Sequence, residues 1–105
     1  GAATLFQFGE WELDLEAYTL KRDGESCELT QKEFGVLGLL IRNSGLALTR
    51  NRILSAVWGS SLAVTSRSVD RCITTLRSKI EVDPKNPPHI ITIRDVGYRF
   101  VKGCE

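Results

Sequence analysis

The run from Ser66 to Glu81 carries the most suggestive chemistry in the chain. At about 100° per residue, Arg67, Arg71, Thr74, Thr75 and Ser78 fall along one stripe of a helix, and Val69, Cys72, Ile73, Leu76 and Ile80 fall along another. The first stripe contains no acid. It offers positive charge and hydrogen-bonding groups, the means to recognise a polar or anionic partner rather than to break a bond. Threonine is a poor helix former on an exposed surface, where Glu, Lys or Ala would stabilise better. Something other than helix stability therefore favours short hydroxyls between arginines. The competing account is a solvated face, which is usually charge-mixed; arginines and hydroxyls without an acid are less usual.

Bond-breaking chemistry has little support. A Cys72–His89 dyad is conceivable, but Cys72 belongs to the apolar stripe and no oxyanion-hole feature accompanies it. GxSxG, HExxH, P-loop and GxGxxG patterns are missing from the sequence. The cysteines (Cys27, Cys72 and Cys104) form no CxxC pair, and their odd number suits a reducing cytosol better than a disulfide framework. With one histidine, a tetrahedral zinc site would need carboxylates from elsewhere. The expectation is a non-enzyme without metal or cofactor.

The surrounding elements must hold the arginine stripe outward. Apolar residues alternate through Leu5–Phe8, Trp11–Leu15 and Tyr18–Leu20, Asp23-Gly24 signals a turn, and Cys27–Leu29 can return as a fourth strand. Thr30-Gln31-Lys32-Glu33 opens a helix as a capping box, with Leu29 and Phe34 at staple spacing. Phe34, Val36, Leu37, Leu40 and Ile41 give this helix a buried face, and Asn43-Ser44-Gly45 ends it. Beyond a short turn, Thr49 caps a second helix with Ile53, Leu54, Val57 and Trp58 facing inward, and Gly59 stops it. Residues 60–65 read as a loop. The third helix starts near Ser66 and runs to about Glu81. The prolines of 83–88 forbid its continuation. His89–Ile93 is a β-branched strand, Arg94–Gly97 a turn, and Tyr98–Val101 the return. Trp11 and Trp58 read as core, Asp70 as a first-turn acid suited to the helix dipole, and His89 as a solvated loop residue.

The 105 residues fit one domain, 1–105, and 42% hydrophobic content supplies a core. No apolar run has membrane-spanning length and no basic-then-apolar leader opens the sequence, so a soluble, cytoplasmic chain without membrane contact is expected. The net charge of +1 excludes a uniformly basic coat, but the charge is polarised. Residues 1–49 hold eight acids and four bases; residues 50–105 hold ten bases and five acids. The second half is the one suited to a polyanion.

Three helices followed by a hairpin give an α+β winged helix-turn-helix, the hairpin being the wing. A helix fits the major groove of a DNA duplex. Arg67 and Arg71 can donate to guanine edges or phosphates, Thr74 and Thr75 can meet phosphates or a thymine methyl, and Arg94 can enter the adjacent minor groove, where the negative potential is deepest.

Four blocks, in order, resemble the OmpR/PhoB-type effector domain of bacterial response regulators: Leu29-Thr30-x-x-Glu33-Phe34-x-x-Leu37, Thr49-Arg50-x-x-Ile53-Leu54-x-x-Val57-Trp58-Gly59, Arg67-Ser68-Val69-Asp70-x-x-Ile73-x-x-Leu76-Arg77-x-Lys79, and Ile91-Thr92-Ile93-Arg94-x-x-Gly97-Tyr98-Arg99-Phe100. The resemblance extends from about Phe6 to Val101. It implies a four-stranded N-terminal antiparallel sheet, three helices and a C-terminal β-hairpin wing. It implies sequence-specific binding of double-stranded DNA as the output domain of a two-component response regulator, usually as a head-to-tail homodimer on direct repeats, with the loop 59–65 contacting RNA polymerase. By the same resemblance, Arg67, Ser68, Arg71, Cys72, Thr74, Thr75 and Arg77 read the major groove and Arg50 touches phosphate. Thr92 and Tyr98 hold the DNA backbone and Arg94 reaches the minor groove.

This sequence departs from the family at several of those positions. Asp95 replaces the first glycine of the usual wing motif, where it can pair with Arg94 and alter the turn. Thr74 and Thr75 stand where some members carry arginines, which implies weaker electrostatic binding. Two other uses of the same fold stay open: the DNA-binding head of a membrane-anchored one-component regulator, and a winged helix that mainly binds protein.

Overall fold

A computed structural model describes residues 5–59, 65–80 and 89–101. The chain opens with an antiparallel meander, β1 (Leu5–Phe8), β2 (Trp11–Asp14), β3 (Thr19–Arg22) and β4 (Glu25–Cys27), paired in sequence order. The β3–β4 turn is the tight one its Asp-Gly pair predicts. Asp23 (φ 51°) and Gly24 (φ 82°) both take the left-handed conformation, and Arg22 faces Glu25 across the two-residue loop. The fourth strand is Glu25–Cys27, displaced toward the turn from the expected 27–29, because the short loop fixes the register.

Helix α1 (Gln31–Arg42) begins at the expected capping box. Thr30 Oγ1 accepts from the Glu33 amide at 3.2 Å, and Glu33 Oε1 accepts from the Thr30 amide at 2.7 Å. The predicted face of α1 is buried, Phe34, Val36, Leu37, Leu40 and Ile41 all packing into the core. Helix α2 (Arg50–Trp58) is capped by Thr49, whose hydroxyl accepts from the Arg52 amide, and ends at Gly59 (φ 75°). Its inward face is narrower than predicted. Ile53 alone is buried, while Leu54, Val57 and Trp58 are half-buried along the edge of the core.

Helix α3 (Ser66–Ile80) buries the whole predicted stripe of Val69, Cys72, Ile73, Leu76 and Ile80. The Trp11 indole donates to the Ile80 carbonyl at 2.9 Å, which fastens the last turn of α3 to the meander. The wing is β6 (Ile90–Ile93) and β7 (Gly97–Phe100).

The turn expected between α1 and α2 contains a strand, β5 (Ala47–Thr49), which pairs with β7 to give a second sheet in the order β5-β7-β6. Three residues carry too little alternation to announce a strand, and this one exists because β7 offers it an edge. The approach is close at Gly97, where any Cβ would collide with the Leu48 carbonyl oxygen.

His89 is also placed differently from expectation. It is buried, edge-on to Phe8 (5.1 Å) and stacked on Phe100 (5.9 Å, 15°), with Nδ1 3.0 Å from the Val101 carbonyl oxygen. The aromatic ring fills the seam between the meander and the wing, an environment set by tertiary packing rather than by its place after two prolines.

Candidate nucleic-acid interface

The solvent side of α3 is the row the sequence singled out: Arg67, Arg71, Thr74, Thr75 and Ser78 are all exposed. The hydroxyl protons of that row are spent within the helix. Thr74 Oγ1 donates to the Asp70 carbonyl (2.9 Å), Thr75 Oγ1 to the Arg71 carbonyl (3.0 Å) and Ser78 Oγ to the Thr75 carbonyl (2.6 Å). Towards a partner these residues therefore bring oxygen lone pairs and, for the threonines, methyl groups. Donation falls to the arginines. The Arg67 and Arg71 guanidinia have no hydrogen bond or ion pair among the described residues.

Cys72 is on the wrong side for this row. It is 9% exposed, and burial, aided by the charge of Glu33, pushes its thiol pKa up to about 11. The expectation that Cys72 reads a groove is corrected by the helical period, which turns it into the core. The same burial makes it a poor nucleophile. Ser68 is half-buried beside the row.

Four of the other predicted residues converge behind the row. Tyr98, on β7, is buried, and its hydroxyl donates to Asp70 Oδ1 at 2.5 Å. Arg50, at the start of α2, donates to the same oxygen through Nε at 2.8 Å. Arg77, one turn before the end of α3, donates through Nε and Nη2 to the Ile90 carbonyl (3.2 and 2.9 Å) and through Nη2 to Thr92 Oγ1 (2.7 Å). The Arg50 and Arg77 guanidinium carbons each lie 5.6 Å from the centre of the Tyr98 ring. Arg50, Arg77, Thr92 and Tyr98 thus form one cluster joining α2, α3 and both wing strands.

Asp70 completes that cluster, and sequence reasoning gave it a different role. It lies beyond the first turn of α3, and its carboxylate serves Tyr98 and Arg50 rather than the helix dipole. Partial burial disfavours its charge, but the Tyr98 hydroxyl and Arg50 outweigh that and hold its pKa below the ordinary carboxylate value. Burial and then the Asp70 bond push the Tyr98 hydroxyl up. The available signal was that Asp70 is the only acid in α3.

At the wing tip, Arg94 is exposed and unpaired among the described residues. The expected Arg94–Asp95 pairing is not formed. Asp95 instead takes the left-handed conformation (φ 64°), and the Val96 amide closes the turn on the Ile93 carbonyl at 3.0 Å. Aspartate tolerates that conformation better than most residues, so the turn survives without the usual glycine. The loop 59–65 lies outside the described residues except for Gly59 and Thr65, as do the prolines of 83–88 and Cys104.

A three-helix core, a second and third helix joined as a helix-turn-helix, and a hairpin beside the third define a winged helix-turn-helix domain. Comparison with known proteins agrees and goes further. Residues 24–100 match the family model described as "Transcriptional regulatory protein, C terminal". The chain is 38% identical over 96 residues to the sensory transduction protein RegX3 of Mycobacterium tuberculosis, covering 91% of this chain and 42% of that protein. It is 41% identical over 99 residues to the probable transcriptional regulator ycf27 of Cyanidium caldarium, covering 90% and 40%. Among solved structures, the response regulator DrrB of Thermotoga maritima, an OmpR/PhoB homologue, superposes with a TM-score of 0.85 at 37% identity, covering 93% of this chain and 44% of DrrB. The RstA DNA-binding domain of Klebsiella pneumoniae, solved in complex with the RstA box, gives 0.83 at 28% identity, covering 95% and 99%. The chain belongs to the family of transcriptional regulatory protein C-terminal domains, of OmpR/PhoB type. It spans less than half the length of the curated relatives it matches.

Proposed function

We propose that this domain binds double-stranded DNA sequence-specifically, as the output domain of a cytoplasmic two-component response regulator. One observation carries the reading: the exposed row Arg67, Arg71, Thr74, Thr75 and Ser78 of α3 contains no acid and presents two arginines unpaired among the described residues, while the opposite stripe is fully committed to the core. In this reading α3 lies in the major groove. Arg67 and Arg71 donate to base edges or phosphates, Thr74 and Thr75 offer methyl groups to thymine, and Ser68 stands at the margin of the contact. Arg50 meets phosphate; Arg77, expected to read the major groove, is turned to the wing by its bonds to Ile90 and Thr92 and meets phosphate instead. Thr92 holds the backbone; Tyr98, expected to do the same, is buried with its one hydroxyl proton given to Asp70 and supports the two arginines from behind. Arg94 enters the neighbouring minor groove. Mechanism is placement: phosphate contacts set the register and α3 supplies the sequence preference.

The family resemblance adds a head-to-tail homodimer on direct repeats and contact of the loop 59–65 with RNA polymerase. Both belong to the same proposal.

The test is a salt titration of binding to duplex DNA. If about five phosphates are contacted, log K against log salt falls with a slope of roughly −4 to −5. A slope near zero contradicts DNA binding and favours a protein-binding winged helix. Footprinting on a selected site separates a dimer on direct repeats from a monomer.

A further inference from the structure

Asp70 poses an electrostatic puzzle. In the DNA-binding reading it places a negative charge on the binding side of the domain, between an arginine that meets phosphate and the buried Tyr98 of the wing. By Coulomb's law alone a carboxylate there opposes binding. Across a few ångströms of water that repulsion amounts to roughly a twofold loss of affinity. The geometry supplies a reason to keep it.

One carboxylate oxygen, Asp70 Oδ1, accepts from both Arg50 Nε and Tyr98 OH. These partners come from α2 and from β7 of the wing, so a single atom of α3 ties all three DNA-facing elements together. Arg50 reaches Asp70 through Nε and also interacts with the Tyr98 hydroxyl, but its Nη nitrogens complete no further hydrogen bond among the described residues and can meet an external acceptor. Arg50 also lies over the Tyr98 ring, with its guanidinium carbon 5.6 Å from the ring centre. A long side chain that would otherwise lose rotamer freedom on meeting a phosphate is thus already held.

We infer that Asp70 is a positioning residue for DNA binding: it fixes the Arg50 guanidinium and the wing's Tyr98 in register with α3, so that an acid on the binding face strengthens binding. The inference rests on the DNA-binding reading above, with Arg50 as a phosphate contact.

The two accounts of Asp70 differ in sign. Asp70→Asn removes a negative charge from the surface, so a bystander acid predicts tighter binding. The positioning role predicts weaker binding, on the order of tenfold, the scale of a charge-assisted hydrogen bond. It also predicts a salt slope shallower by about 0.9, as one phosphate contact is lost. Tyr98→Phe changes no charge and weakens binding by a smaller factor. In an Arg50→Ala background, Asp70→Asn causes a clearly smaller loss, the part that passes through Tyr98.

The measurement is fluorescence anisotropy of the folded domain on a labelled mixed-sequence duplex across a salt series, with melting of each variant recorded alongside. Wild-type binding with a steep slope is the control for the DNA reading, and its absence overturns that reading and this one with it. Given that control, three results overturn the positioning role. They are tighter binding by Asp70→Asn, an unchanged slope with the loss tracking only a lower melting temperature, or an undiminished loss in the Arg50→Ala background. If Asp70→Asn does not fold, Tyr98→Phe against the same Arg50→Ala background decides, an additive loss counting against the inference.

Discussion

The basic surface is built in two ways. Arg67 and Arg71, on the front of α3, are exposed and unpaired among the described residues. Arg50 and Arg77, at its margins, are each held by named partners and flank one tyrosine ring. Free arginines keep their rotamers and can adapt to base edges, at the cost of ordering on binding. Held arginines have met much of that cost in folding and suit the invariant spacing of phosphates. In the proposed reading, sequence preference and register thereby fall to different parts of one helix-turn-helix.

The largest effect should come from removing the platform under the held pair. In Gly97→Ala the new methyl meets the Leu48 carbonyl where β5 pairs with β7, and backbone cannot move aside as a flexible side chain would. We expect destabilisation of about 3 kcal/mol or more, in the range of severe single substitutions, seen as a marked drop in thermal midpoint. A near-unchanged midpoint would show that the wing tolerates separation from β5. Next, Arg71→Ala should leave melting within about 0.5 kcal/mol and relax preference at one base pair by about 1–3 kcal/mol. Binding-site selection checks this, and an unchanged preferred site removes Arg71 from the reading set. Arg77→Ala should behave in the opposite way, costing about 1 kcal/mol of stability through its lost bonds to Ile90 and Thr92 and weakening binding without altering preference. If it changes preference and not stability, the division between held and free arginines fails.

The smallest effect concerns acid. The Asp70 pKa is lowered in the folded state, so its pairing stabilises the fold above the ordinary carboxylate range, and that contribution fades as pH falls through the lowered value. Melting of the wild type and Asp70→Asn should therefore differ at neutral pH and converge in acid. A constant difference would mean that the carboxylate charge is not what matters. The group is too exposed for the effect to be large.

Much of this was legible in the sequence because it is local. The Thr30–Glu33 box, the Asp23-Gly24 turn and the 3.6-residue period of α3 each specify structure through neighbours a few residues away. What escaped depends on distant partners. Strand β5 is called into being by the edge of β7, His89 is buried by Phe8 and Phe100, and the narrow inner face of α2 follows from what packs on it. Asp70 is the telling case for the site. Its spacing places it on α3, but its role comes from Arg50 and Tyr98, 20 and 28 residues away in the chain. Cys72 shows the reverse: a family position suggested a groove contact, while the apolar period of the same helix already assigned it inward.

The central claim is that the Arg67–Arg71–Thr74–Thr75 side of α3 lies against duplex DNA. Backbone amide shifts followed by NMR during titration with a duplex test it most directly. The account predicts changes concentrated along α3, at Arg50 and at the wing around Thr92 and Arg94, with the β1–β4 meander nearly silent. Shifts centred on the meander, with α3 unmoved, would contradict it.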